Sequence, residues 1–369
     1  MVYCSVAVIS CAENIINFRT HGFVRRTGLE NWGLLSVSVV GIASLALLVL
    51  CANIAVKKLI GIASYFNLST TFMGMTVISL STSIPEITAH ATASINILRK
   101  TLDYKIGSAI VLGANIGSDV VQQTLIMGIV VLLAGTLYFR KYFLWKSMIP
   151  MIATTIMCIV LGIDGTYSRV DGLILFGTFI AYNYFLYKDE RKHYRKEDNV
   201  VTHEGIAKNI PQNVKDVIID TLISLVMLAL TVVSATYVLQ VTEIMVNETG
   251  ISGSLIGVVT LGIASALPEL TTALAGIGNK EYGISLGALV GSNITNPLVA
   301  IGGGAIISQY AVPRPLILWD LPWETVTGAI LWIVLWFNKG RLGKKEAIYL
   351  IAIYFIYVFL RASYFNVDF

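Results

Sequence analysis

Charge is what this chain lacks most. Of its 369 residues, 13% are Asp, Glu, Lys or Arg, against roughly 25% in a water-soluble domain. The chain is 56% hydrophobic with a mean hydropathy of +0.75. The charge deficit runs along nearly its whole length, which excludes a water-soluble globular fold. Cysteine is scarce as well. Cys4, Cys11, Cys51 and Cys158 have no CxxC spacing and fall in apolar surroundings, so they read as small core residues and not as a disulfide or zinc framework. No Cys or His cluster favours a soft metal. The net charge of +4 comes from basic residues lying between apolar segments, and nucleic acid is not an expected partner. Residues 1–16 are apolar but too short to span a bilayer, and they lack the basic n-region of a secretory signal.

What the chain has is long apolar runs. A helix needs about 20 apolar residues to cross the hydrocarbon core. Ten segments qualify: 34–57, 69–98, 106–136, 142–163, 169–187, 216–245, 251–278, 283–309, 316–337 and 344–363. The expected fold class is an all-α polytopic membrane protein with ten transmembrane helices. The one long polar connection, 188–215, separates a first half (34–187, after an N-terminal extension 1–33) from a second half (216–369). Basic residues favour the cytoplasmic side of a membrane. Placing 188–215 there leaves 17 Lys and Arg on that side and nine, Arg361 among them, on the other. This orientation puts both termini outside a cell membrane crossed many times. The charge run in 188–215 reads as a solvated linker.

The halves repeat each other. "MGMTVISLSTSIPEITAHATASI" (73–95) aligns with "IGVVTLGIASALPELTTALAGI" (256–277). Gly74, Pro85, Glu86 and Thr88 match Gly257, Pro268, Glu269 and Thr271 at an offset of 183. "LGANIGSDVVQQ" (112–123) aligns with "LGALVGSNITNP" (286–297), so Gly113, Gly117 and Ser118 match Gly287, Gly291 and Ser292 at an offset of 174. The copies begin five spans apart, and an odd separation means that they cross in opposite directions. That is an inverted-topology repeat, a mark of secondary transporters with a site near the midplane.

An ionised glutamate at the bilayer centre costs roughly 2.5–3.5 kcal/mol on insertion scales. Neither motif helix has a Lys or Arg near its glutamate, so a bound cation is the natural partner. Each proline removes a backbone donor one residue before its glutamate, and a carbonyl one turn back can then point at an ion. Ser79 or Thr82 on one side, and Gly262 or Ser265 on the other, are the expected carbonyl or hydroxyl donors. Thr82 and Ser265 lie four residues before each glutamate, on the same helical face. Ca²⁺ takes six to eight oxygen ligands; two carboxylates, two hydroxyls, two carbonyls and water approach that number. The G-x-x-x-G glycines are expected to bring the third and eighth spans together. Ser118 and Ser292 then come within reach of the carboxylates, and Gln122 and Asn296 extend the polar face.

Each feature also has a bland reading. A single Pro-Glu can be a kink beside a protonated acid, but two inverted copies with matching partners weigh against that. G-x-x-x-G alone often serves packing. His90 has Ala273 as its counterpart and reads as a polar neighbour ahead of a proton carrier. Asp119, opposite Asn293, is either a third ligand or an interhelical hydrogen-bonding group.

These motifs resemble the two alpha-repeats of the sodium/calcium exchanger family, within the calcium/cation antiporter superfamily. "GIDGTYSRVDG" (162–172) is similar to that family's loop between spans four and five. The resemblance implies a ten-span antiporter that moves Ca²⁺ against Na⁺ by alternating access, with ions as cargo, no cofactor and no enzymatic activity. It implies that Glu86 and Glu269 are central ligands. Thr82 and Ser265 would be hydroxyl ligands, Ser79 and Gly262 carbonyl donors, and Ser118 and Ser292 ligands of flanking Na⁺ sites. The chain departs from the pattern at Ser265, Ala266, Asp119, Gln122 and Asn296, the last being neutral where an acid is common. A Ca²⁺/H⁺ or other cation exchanger of the same fold is therefore the alternative, motivated by Gln122, Asn296 and His90. An intramembrane hydrolase using an acidic dyad is the remote one.

Overall fold

The computed structural model describes residues 33–65, 74–139, 141–193, 211–278 and 282–369. The first 32 residues and positions 194–210 of the central loop lie outside that set. The described chain is almost entirely helical. Among the described residues, nine helices are long and apolar enough to cross a membrane. They are α1 (Leu34–Tyr65), α3 (Tyr104–Ala134), α4 (Lys141–Gly162), α5 (Arg169–His193), α6 (Val214–Thr249), α7 (Gly253–Gly278), α8 (Tyr282–Ile307), α9 (Leu316–Phe337) and α10 (Lys344–Tyr364). The remaining segment, α2, runs as three pieces: Gly74–Ile78, Ser79–Thr82 and Ile84–Leu98. Its Ser, Thr, Glu and His residues make it less apolar than the others. The ten segments form two inverted five-helix repeats.

The inversion is written into the backbone as well as the motifs. Single π-helical turns, in which the chain carries one extra residue per turn, occur in equivalent pairs. Gly74–Ile78 in α2 matches Gly257–Leu261 in α7. Gln122–Ile126 in α3 matches Asn296–Ile301 in α8. Leu144–Met148 in α4 matches Leu316–Asp320 in α9. Such turns gather at functional sites because they displace backbone groups from the regular ladder. Two short antiparallel ladders, absent from an all-α expectation, repeat in the same way. β1 (Thr136–Tyr138) pairs with β4 (Arg341–Gly343), and β2 (Thr166–Tyr167) pairs with β3 (Tyr310–Ala311). Each is closed by a glycine at positive φ, Gly340 (83°) and Gly165 (85°), where a side chain would be strained. The Gly340 carbonyl accepts from Phe139 at 2.7 Å, and that of Gly165 accepts from Val312 at 2.8 Å.

The central helices are α3 and α8, with 78% and 83% of their spanning residues buried. The sequence reading paired their glycines with each other, but the glycines do something else. Gly113 and Gly117 of α3 lie against the backbone of Ser254 and Val258 in α7, while Gly257 and Gly262 of α7 return the contact. Gly291 of α8 lies against Met75 and Ser79 of α2. The small residues therefore cross-link each central helix to the motif helix of the opposite half. That arrangement carries both glutamates inward. A Cβ on Gly117 would sit 2.5 Å from the Val258 Cα, and two helical backbones cannot give way cheaply. Gly117→Val should therefore destabilise the protein by about 2–3 kcal/mol, the upper range for overpacked cores, read as a lowered melting point in detergent.

Helices α1 and α6 pack chiefly on each other, tied by the Lys58–Asp220 ion pair at 2.6 Å. Their outer faces present Leu35, Ile42, Leu222 and Leu225, as lipid-facing surfaces do. Arg361, counted among outer loop charges in the sequence, is in fact fully buried in α10. Its Nε donates to both carboxylate oxygens of Asp320 in α9, at 3.0 and 2.9 Å. Its Nη2 reaches Ser254 at the start of α7 at 2.5 Å. The C-terminal Asp368 folds back to accept from the same serine.

Candidate functional site

Both motif helices break just before their prolines. In α2 the chain turns at Ser83 (φ −76°, ψ 5°) and restarts at Ile84. In α7 it turns at Ala266 (φ −79°, ψ −1°) and restarts at Leu267. Pro85 and Pro268 thus stand in a first helical turn, where a missing N–H is no loss. The carbonyls four residues back from each proline, Ser81 and Ala264, accept a backbone N–H of the turn instead. The sequence reading gave the carbonyl role to Ser79 and Gly262, and here it needs correction. The Ser79 carbonyl accepts from Ser83 N at 3.0 Å and Thr82 Oγ1 at 3.2 Å. The Gly262 carbonyl accepts from Ala266 N at 3.2 Å and Ser265 Oγ at 3.3 Å. Both carbonyls are occupied because the turns still close on them. Thr82 and Ser265 each have one hydrogen to share between that carbonyl and the glutamate of the opposite motif. Ser79 turns its own hydroxyl to Met75 O at 2.8 Å and meets Thr295 at 3.1 Å.

The two carboxylates are held alike. Ser118 donates to Glu86 Oε1 at 2.8 Å, and Ser292 donates to Glu269 Oε1 at 3.1 Å. Each glutamate also meets the hydroxyl of the opposite motif, Ser265 against Glu86 and Thr82 against Glu269. Thr82 and Ser292 are 3.3 Å apart. Gln122 Nε2 donates to Ser118 Oγ at 3.0 Å. Asn296 donates to Asp119 at 2.6 Å, and Asn293 donates to Gln122 at 3.1 Å. At the offset of 174 these last two contacts are one contact seen from either half. These bonds gather the candidates into three adjoining sets: Glu86 with Ser118, Gln122, Ser265 and the Gly262 carbonyl; Glu269 with Ser292, Thr82 and the Ser79 carbonyl; and Asp119 with Asn296.

The cluster is short of donors. Glu86 and Glu269 are 3% and 0% exposed, yet among the described residues the Oε2 atom of each has no hydrogen-bond partner. The side-chain oxygens of Asn115, Asn293 and Asn296 are also buried and unpaired. A buried polar atom without a partner costs about 1–3 kcal/mol, and more when charged. Five oxygen acceptors around two carboxylates are what a hard cation would satisfy. Among the described residues no three His, Cys, Asp or Glu side chains gather as a metal centre.

One neighbour escaped the sequence reading. Glu324 in α9 is 3% exposed and accepts from Thr155 at 2.9 Å. It has no duplicate, so the repeat did not reveal it. The available signal was an acid inside an apolar span, "LPWETV", which is by default a functional candidate.

The family model described as sodium/calcium exchanger protein matches residues 36–188 and 219–362. The chain is a member of the sodium/calcium exchanger family. Its family relatives include the inner membrane protein YrbG of Escherichia coli K12, 25% identical over 77% of this chain and 84% of that protein. The sodium/calcium exchanger MaX1 of Methanosarcina acetivorans is 22% identical over 78% of this chain and 88% of its own length. A solved structure of the sodium-calcium exchanger NCX_Mj, soaked with 10 mM Na⁺ and zero Ca²⁺, superposes with a TM-score of 0.59 at 22% identity. It covers 88% of this chain and 99% of that one, a likeness of fold. This exchanger-family member is a multi-pass membrane antiporter and not an enzyme, which removes the hydrolase reading.

Proposed function

We propose that the protein exchanges Ca²⁺ for Na⁺ by alternating access, at a site built from Glu86, Glu269, Thr82 and Ser265 with Ser118 and Ser292 alongside. The observation that carries this reading is the pair of buried, unpartnered Oε2 atoms. Two carboxylates neutralise one divalent ion, and the neutral hydroxyl and amide oxygens extend its coordination towards six or more. Ser118 and Ser292, each bonded to one carboxylate, give two flanking positions for monovalent ions. Asp119, Gln122 and Asn296 form the surrounding polar layer and set its net charge.

Access is supported by a cavity of about 40 Å³ between the α1–α6 pair and the motif helices. Leu45, Leu48, Ala235 and Val238 line one wall, and Glu86 and Ser265 the other. A pair of helices packed mainly on each other can shift over such a cavity while the cross-linked core stays fixed.

A proton as counter-ion is the second reading, favoured by the neutral Gln122 and Asn296. The deciding measurement loads proteoliposomes with ⁴⁵Ca²⁺ and imposes either a Na⁺ or a pH gradient. Efflux should follow the Na⁺ gradient; efflux that ignores Na⁺ and follows pH would select the proton. The orientation with both termini outside and 188–215 cytoplasmic belongs to the same proposal, and labelling of single cysteines from one side tests it.

A further inference from the structure

Helices α9 and α10 are tied together at one end. There Asp320 holds Arg361, and the rings of Trp323 and Tyr357 lie 5.6 Å apart. Towards the other end α10 turns to α3, where Ala347 and Ile351 lie against Gly128. A groove of about 530 Å³ opens between α9 and α10. It runs along α9 from Thr327 to Asn338. At about 1.5 Å per residue that is roughly 16 Å, half of a hydrocarbon core about 30 Å thick. The groove is thus about as long as one leaflet is deep.

Its walls are apolar, with Val334 and Phe337 on α9 facing Leu350 and Ile353 on α10. At the inner end the Thr327 hydroxyl serves its own helix, 2.8 Å from the Trp323 carbonyl and 3.0 Å from that of Glu324. That end therefore asks for no polar partner. The mouth is different in kind, being formed by Asn338, Lys345 and Glu346. Lys339, Arg341 and Lys344 are exposed in the same segment as Lys345. Glu346 is the one acid in 338–346. Its carboxylate already accepts from Gly343 N at 2.9 Å and from Asn338 at 3.3 Å. The mouth is therefore basic. It also lies beside an aromatic cluster: Trp145, Trp332 and Trp336 have ring centroids 5.7–5.8 Å apart, and Lys141 stands over Trp336 at 5.9 Å. Tryptophans mark the level of the lipid headgroups. The groove thus enters the bilayer from that level and ends near its middle.

We propose that the groove binds one anionic phospholipid of the surrounding bilayer, such as phosphatidylglycerol, with an acyl chain between α9 and α10 and its phosphate at Lys345. Basic pockets between spanning helices select anionic headgroups in this way. A zwitterionic lipid fits the apolar part equally well, but its headgroup brings a second cation to the lysines. A second copy of the chain suits the groove less, because a two-fold contact would set the same basic segments against each other.

Native mass spectrometry of the full chain in detergent reads the occupant by its mass. With phosphatidylglycerol and phosphatidylcholine added in equal amounts, one phosphatidylglycerol should stay bound, in at least tenfold excess over phosphatidylcholine. Lys344→Gln with Lys345→Gln should lower that excess at least fivefold. Val334→Trp, which fills the groove, should remove the retained lipid. The two lysines are exposed, so their variant keeps the test decisive if Val334→Trp does not fold. Equal retention of the two lipids would overturn the site. A phosphatidylglycerol excess unchanged by the lysine variant would do so too, because the lipid would then sit elsewhere. A two-chain mass without lipid would give the groove to a second copy and would equally overturn it.

Discussion

Glu86→Gln or Glu269→Gln abolishes Ca²⁺ exchange and leaves the protein folded. Glutamine keeps the shape of glutamate and an oxygen that can accept from Ser118 or Ser292, so the local hydrogen bonds at 2.8 and 3.1 Å can survive. What it removes is one of two charges neutralising a divalent ion in a site that excludes water. Removing one partner of a buried charged pair costs about 3–5 kcal/mol, and each 1.4 kcal/mol is about a factor of ten in binding. A fall of more than a hundredfold in ion affinity is expected, below what a flux assay resolves. Stability should move the other way. The ion-free fold buries two carboxylates with unpaired oxygens, and functional sites are commonly held at such a cost. The melting point in Ca²⁺-free detergent should therefore stay level or rise, while the upward shift on adding Ca²⁺ seen in the parent protein disappears. Exchange that persists in either variant would remove the site.

The duplicated features were legible in the sequence because duplication separates signal from accident. Long apolar runs gave the ten spans, and Pro-Glu and Gly-x-x-x-Gly-Ser, each occurring twice, pointed to the inverted halves and to most of the polar residues gathered between them. Partner choice was less legible. Spacing places Gly113 and Gly117 on one face of α3, but it does not say which helix that face meets. The answer, α7 and not α8, follows from how the halves interlock. Spacing likewise put a displaced carbonyl one turn back from each proline. It could not foresee that the chain turns at Ser83 and Ala266 and re-closes on Ser79 and Gly262. Unduplicated groups were hardest. Glu324, Asp320 and Arg361 have no repeat partner, and Arg361 lay close enough to a helix end to pass for a loop charge.

Arg361 carries the other large expected effect. Its guanidinium is fully buried and spans three elements: Asp320 in α9, Ser254 at the start of α7, and its own helix α10. Tyr357, one turn earlier in α10, donates to the same Asp320 carboxylate at 2.6 Å. A buried pair of this kind adds little net stability over well-packed apolar residues, but breaking it from one side costs about 3–5 kcal/mol. The two sides are not equivalent. Arg361→Met leaves an aspartate, which can take up a proton and keep its bond from Tyr357. Asp320→Asn leaves a guanidinium, which cannot shed its charge in a protein. Asp320→Asn should therefore be the more destabilising single change, and the double variant Asp320→Leu with Arg361→Met should recover most of the loss. Thermal unfolding in detergent, followed by the fluorescence of Trp323, whose ring lies 5.6 Å from that of Tyr357, reads all three. Equal losses in the two single variants, with no recovery in the double, would mean that the pair does not act as a unit. The same cluster anchors the N-terminal end of α7, which carries Glu269 further along. A weakened clamp should thus also slow exchange, even in protein that remains folded at the assay temperature.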